Sequence, residues 1–190
     1  MKINHAIILI IIISIFAGCT MPSNGSSTPN PFFSESSLYL KYPPFDKIRN
    51  EHYAPAFELG MKQHMQEIDS IALDQDLANF ENTILSMEKA GSLLDRVSTV
   101  FYALTSAHTN DEMEKVRSEM APKLSAHSDK ILLNDALFQR VNTLYDNRMN
   151  LGLDNESVRL IEKYHTSFIR AGAKLNAEQK ERLKAINSEI

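Results

Sequence analysis

Chemistry at a protein site needs side chains that can ligate, attack or carry a proton, held at a fixed spacing. This 190-residue chain offers six histidines: His5, His52, His64, His108, His127 and His165. A hydrolytic zinc site typically takes two His one helical turn apart plus a carboxylate. No His-Glu-x-x-His is present, and no two histidines stand within five residues of each other. His64 and His127 fall on apolar stripes, where an imidazole reads as a hydrogen-bonded core or boundary group. His108 precedes a helix start and reads as ordering that end. There is no Gly-x-Ser-x-Gly elbow, no phosphate-cradling glycine loop and no Cys-His pair.

The acids Asp111, Glu112 and Glu114 fall in the first turn of an expected helix, where carboxylates complement the helix dipole. A paired-acid catalytic site is the sharper reading and the weaker one. Lys174, Lys180, Arg182 and Lys184 alternate with Glu178 and Glu181, which reads as a solvated helix face with Glu178 and Arg182 four apart. The methionines at 61, 65, 87, 113 and 120 read as core fillers. No residue is therefore assigned a catalytic or a metal-binding role.

The one cysteine, Cys19, follows a short apolar run. Lys2 and His5 precede Ala6 to Ala17, which is apolar apart from Ser14. That run is shorter than the roughly 20 residues of a membrane-spanning helix and has the form of a secretory signal. Phe16-Ala17-Gly18-Cys19 resembles the lipobox of bacterial lipoproteins. The expectation is a signal peptide over 1–18, lipidation of Cys19 and stable membrane anchoring through its acyl chains, against the alternative of an uncleaved anchor helix. Thr20 lacks the Asp linked to inner-membrane retention, so a periplasm-facing lipoprotein is expected, with the outer membrane preferred. Residues 20–31, TMPSNGSSTPNP, read as a solvated tether able to extend at most ~40 Å. With the signal removed, 19 basic residues face 24 acidic ones, since only Lys2 is lost from the 20.

Stepping along the rest of the chain, the apolar period is helical. Residues 30–45, with Pro31, Pro43 and Pro44 among aromatics, read as an extended surface arm. From Pro55, the stripe Phe57, Met61, His64, Ile68, Ile71 marks a helix. Asn79 caps a second, which leads through Ile84 and Met87 to Gly91. Leu93, Leu94, Val97, Val100, Phe101 and Leu104 mark a third. Thr109 and Glu112 have capping-box spacing for a fourth, in which Pro122 is expected to cause a kink or split near Glu119. Further helices carry Leu137 to Tyr145, Val158 to Phe168, and Asn176 to Ile190 with a cap at Asn176 and Gln179. The last stripe is still running at Ile190, so the chain reads as part of something longer. The fold class is all-α. A formal net charge of −4, 43% hydrophobic and 23% charged residues suit globular helices and give no attraction for nucleic acid.

Several strings carry a family resemblance. They are Asn30-Pro-Phe-Phe-Ser-Glu-Ser36, Tyr42-Pro-Pro-Phe-Asp-Lys-Ile48, His52-Tyr-Ala-Pro-Ala-Phe-Glu58, Phe80-Glu-Asn-Thr-Ile84 and Leu94-Asp-Arg-Val-Ser98. Further on come Ser106-Ala-His-Thr-Asn-Asp-Glu112, Glu119-Met-Ala-Pro-Lys-Leu-Ser-Ala-His-Ser-Asp129, Phe168-Ile-Arg-Ala-Gly-Ala-Lys-Leu175 and Leu183-Lys-Ala-Ile-Asn187. Collinear over nearly all of 30–190, they resemble the N-terminal region of bacterial peptidyl-dipeptidases (dipeptidyl carboxypeptidases). These belong to the thimet oligopeptidase and oligopeptidase A family of zinc metallopeptidases.

The resemblance implies a helical clam with a narrow channel that admits short peptides and releases C-terminal dipeptides. It implies zinc held by His-Glu-x-x-His and a later Glu, with the motif Glu as base toward the zinc-bound water. That motif lies far downstream in the family, so no ligand carries over to this sequence. Zinc is expected in a full-length parent and none in this segment, which would be inactive alone. The expected organisation is signal 1–18, lipidated Cys19 and tether 19–31, and a truncated helical domain 32–190 forming part of the channel wall. Its expected partners are oligopeptides, the membrane and a missing catalytic half. The alternative is a non-catalytic, lipid-anchored helical module that binds peptides or a partner protein.

Overall fold

The computed structural model describes residues 29–189, and every regular element in that range is helical. The all-α expectation is borne out. The signal, Cys19 and nearly all of the tether lie outside the described residues. In chain order the helices are α1 (Tyr53–Ala72), α2 (Ser86–Lys89), α3 (Ser92–Ala107), α4 (Asp111–Leu132), α5 (Asp135–Asn147), α6 (Asn155–Arg170) and α7 (Ala177–Glu189). Short 3-10 turns occupy Tyr39–Lys41, Asn50–His52 and Arg148–Asn150. Among the described residues no helix is long and apolar enough to cross a membrane.

Helix starts follow the chemistry of the orphan N–H groups that each first turn leaves unpaired. The Asn134 and Asp154 side chains cap α5 and α6 by accepting from the N–H groups of Leu137 and Ser157. Asn176 and Gln179 exchange reciprocal side-chain bonds at the head of α7, as their spacing predicts. For α4 the cap is Asn110, whose Oδ1 accepts from Met113 N–H at 3.0 Å, and not Thr109. The Thr109 hydroxyl instead donates to Glu114 at 2.7 Å. Asn110 holds the extended backbone (φ −147°, ψ 169°) that the cap position requires.

Two further differences have local causes. Asn79 caps as expected, but the turn it opens, Phe80–Leu85, is a π-helix and not α. The Ser86 hydroxyl and backbone N–H both donate to the Glu81 carbonyl, five residues back, as the wider turn allows. Pro122 does not split α4, which runs unbroken from Asp111 to Leu132. Proline removes one N–H from the ladder. The turn around it is held by Lys123, which donates to Glu119 one turn back at 3.1 Å and across to Glu58 on α1 at 2.7 Å.

Among the described residues two apolar clusters form the core, and α1 contributes to both. The first joins the start of α1 (Tyr53, Ala56, Phe57) to α3 (Leu93, Val97, Val100, Phe101) and α4 (Met113, Met120). The second joins the end of α1 (Ile68, Ile71, Ala72) to Ile84, Met87, α5 and α6 through Leu137, Val141, Leu144, Ile161 and Phe168. Gly60 lets α1 and α3 approach closely, since a Cβ there would lie 2.9 Å from the Leu94 Cα.

The arm before α1 is less extended than its prolines suggest. Phe32 is fully buried, packs 5.4 Å from the Tyr53 ring, and has its carbonyl held by Arg96 at 2.9 Å. Asn30 fastens the same turn by donating to the His52 carbonyl. Beyond it, Tyr39, Leu40 and Tyr42 stand exposed on a turn in which Leu40 and Lys41 take positive φ.

Candidate functional site

The π-turn, α5 and the loop 73–79 meet at Arg140. Only 9% of this arginine is exposed, although it carries a fixed charge. Its Nη1 donates to the carbonyls of Asp74 and Asp76 at 2.8 and 3.0 Å. Nη2 reaches the Asp74 carboxylate at 3.2 Å, and Nε reaches the buried Thr83 hydroxyl at 3.3 Å. A planar guanidinium can serve divergent acceptors in this way because its donors form a fixed fork. The group is a clamp on the loop.

Lys180 is the second buried cation. The alternating charges at the head of α7 read as a solvated face, yet Lys180 is 7% exposed. Its ammonium pairs with Asp135 and lies 3.4 Å from the Leu133 carbonyl, so it ties α7 to the start of α5. No ion pair joins Glu178 to Arg182 among the described residues; Lys184 pairs with Glu181 at 2.8 Å.

Among the described residues, which leave out His5, the histidines are dispersed, with one exception. His52 accepts from the Arg49 N–H through Nδ1 at 3.0 Å, and exposed His108 closes α3. His165 lies flat on Tyr145 with ring centroids 3.7 Å apart and bonds Asn142 at 3.2 Å. His64 and His127, 63 residues apart, meet with His64 Nδ1 3.0 Å from His127 Nε2. The stripe positions identified both as interior imidazoles. Their pairing is a tertiary fact that neither stripe encodes.

This pair occupies a polar gap along α1 between residues of the two apolar clusters. His127 on α4 is 7% exposed. Against His64 lies Gly91, whose φ of +79° and lack of a side chain let it sit at the ring, where a Cβ would come within 3.0 Å. The Gly91 N–H donates to the Glu67 carboxylate at 2.6 Å. Burial lowers the pKa of both imidazoles. His127 falls to about 4, through desolvation first and then the nearby His64 and Lys130, while Glu67 partly opposes the shift at His64. The pair is accordingly neutral at pH 7, one ring donating and the other accepting.

The expected acid group at the start of α4 is divided among separate partners. Glu112 accepts from Asn50 Nδ2 at 2.7 Å, and Glu114 pairs with Arg117 at 2.5 Å. Glu112 also borders an open groove of about 800 Å³, lined with Arg49, Glu51, Lys115, Val116 and Glu119. Both charge signs alternate along that groove. It holds no nucleophile beside a general base, which covalent hydrolysis would require. Among the described residues no three His, Cys, Asp or Glu side chains converge as metal ligands.

No protein-family model matches the chain. It is 46% identical over 163 residues to the dipeptidyl carboxypeptidase of Escherichia coli (strain K12), covering 86% of this chain and 24% of that protein. It is 44% identical over 160 residues to the dipeptidyl carboxypeptidase of Salmonella typhimurium (strain LT2), with 84% and 24% covered. Oligopeptidase A of Escherichia coli (strain K12) is 20% identical over 161 residues, 85% of this chain and 23% of that one. The resemblance read from the sequence strings is borne out, and the chain spans about a quarter of the length of these relatives.

Proposed function

We infer that this chain is the N-terminal, non-catalytic portion of a peptidase of the dipeptidyl carboxypeptidase kind, because that resemblance runs through 86% of its length at 46% identity. The parent enzyme hydrolyses short peptides and releases C-terminal dipeptides. Its helices over 32–190 form part of the wall that restricts the channel to unfolded peptides. The observation that supports a wall is the nature of the buried polar groups. Arg140, Lys180 and the His64–His127 pair all bond to protein groups and fix helix positions.

Zinc would supply a polarised water nucleophile to such an enzyme. The described side chains do not fit a zinc site, since no three potential ligands converge, so no step of hydrolysis is assigned to this chain. Cys19 is the proposed lipid anchor, placing the protein on a membrane and facing the periplasm, with the outer membrane preferred.

The test has two arms. The 190-residue chain should release no dipeptide from an oligopeptide with a free C-terminus and should retain no zinc after dialysis. The product of the gene read onward in frame should contain His-Glu-x-x-His, release the dipeptide and retain zinc. Stoichiometric zinc and dipeptide release by the 190-residue chain alone would overturn the reading, as would a longer product without peptidase activity. A stop codon directly after Ile190 would favour the binding-module alternative. Mass spectrometry of membrane-extracted protein, showing Cys19 either acylated or bare, decides the anchor separately.

A further inference from the structure

We propose that His64 and His127 form a proton-operated latch that fastens α4 to α1 and releases it in acid while the α1–α5–α6 cluster stays folded. The inference is independent of the peptidase assignment. Its basis is the facing geometry: Nδ1 of one ring meets Nε2 of the other at 3.0 Å, at the contact between two helices. A neutral imidazole has one donor and one acceptor nitrogen, so two neutral rings can share one hydrogen bond. A single added proton still leaves a donor facing an acceptor. A second turns both facing nitrogens into donors and leaves two cations in contact at a buried site.

The charged groups acting on the pair come from both helices. Glu67 on α1 favours a proton on His64, which takes the first one. Lys130 on α4 disfavours a proton on His127, which makes the second harder to add. The segment between α2 and α3 presents Gly91, an uncharged glycine whose N–H already occupies Glu67. On the far side, α7 hangs on α4 beside His127, with the Ser125 hydroxyl donating to the Asn187 carbonyl and Asn187 Nδ2 donating to Asp129. Release of α4 would therefore loosen this attachment too, whereas α5 and α6 are held through the other cluster, which α4 touches only at its last residues, Ile131 and Leu132.

The sign follows from the depressed pKa values. Between the ordinary imidazole value near 6.5 and the folded value of His127 near 4, the released state binds more protons than the latched one. Latching is complete above that window and weakens as pH falls through it, by up to about tenfold per pH unit for each proton taken up.

Hydrogen exchange on the full chain, with protection corrected for the intrinsic pH dependence of exchange, reads this directly. Between pH ~7 and ~4, residues 120–132 should lose about a hundredfold in protection while residues 137–144 keep theirs. His64→Gln should reduce that loss, because the amide oxygen accepts from a protonated His127 and only burial and Lys130 still oppose the charge. His64→Leu combined with His127→Leu, which removes both titrating partners, should abolish it. Protection over 120–132 that is unchanged with pH would overturn the latch. So would parallel loss over 137–144, or a His64→Gln variant that titrates like the parent.

Discussion

Replacing Arg140 by Met tests whether a single buried guanidinium holds the loop 73–79 against the core. Methionine keeps most of the aliphatic stem and its packing, so the loss is concentrated in the polar end. Four hydrogen bonds disappear: two to the carbonyls of Asp74 and Asp76, one to the Asp74 carboxylate and one to Thr83. Bonds from a charged donor contribute about 1.5–3 kcal/mol each in isolation, but bonds from one group do not add. The Asp74 side chain is 28% exposed, so water can replace part of what is lost there. Thr83 is wholly buried and has no such recourse from solvent.

The expected cost is therefore about 2–3 kcal/mol, below the ~3–5 kcal/mol for breaking a fully buried ion pair. With a urea m-value of about 2 kcal/mol/M, the unfolding midpoint should fall by about 1–1.5 M at unchanged slope. Asp74→Asn separates the ion pair from the clamp. It leaves both carbonyl bonds in place and should cost less than about 1 kcal/mol, in the range of partly exposed ion pairs. If Arg140→Met costs under about 1 kcal/mol, or Asp74→Asn costs as much as Arg140→Met, the clamp is not what holds the loop.

Three further outcomes follow from the packing. Gly60→Ala forces a Cβ against the Leu94 backbone at 2.9 Å and should destabilise by about 1–3 kcal/mol, seen as a lower thermal midpoint. Asn110→Ala should cost about 1 kcal/mol through loss of the α4 cap, and Thr109→Ala clearly less; equal losses in urea titrations would restore Thr109 as the cap. Lys180→Met should leave the α5–α6 core protected in hydrogen exchange but raise exchange in α7, because the tie to Asp135 is lost. No change in α7 exchange would show that the ammonium does not hold that helix.

The helices were legible because their information is local. Stripe spacing located α1, α3, α5 and α6, and polar residues at cap positions marked the starts at Asn79 and Asn176. The family strings, too, needed only contiguous residues. What escaped was set by contacts across the chain. Phe32 lies in a proline-rich arm and gives no periodic signal, yet Tyr53 and Arg96 draw it inside. Lys180 looks like one of several alternating charges until Asp135, 45 residues away, is brought beside it. His64 and His127 were each identifiable as interior imidazoles, but their mutual bond depends on how α1 and α4 cross. The π-turn after Asn79 escaped for a local reason, because its cap suits either helix type.

Helix α1 has 20 residues, about 30 Å of rod, and its two ends belong to different clusters. That makes its residue count a shared phase reference. One residue inserted between Gly60 and Ile68 would rotate the far half by about 100° and advance it about 1.5 Å. Tyr53 and Phe57 could then keep their seats only if Ile68 and Ile71 swung out of theirs. An exposed connection not clamped as 73–79 is by Arg140 can lengthen with less disturbance to its neighbours than the middle of this helix. Length changes tolerated over evolution should therefore gather in connections such as 148–154 and be excluded from the stretch between the two clusters.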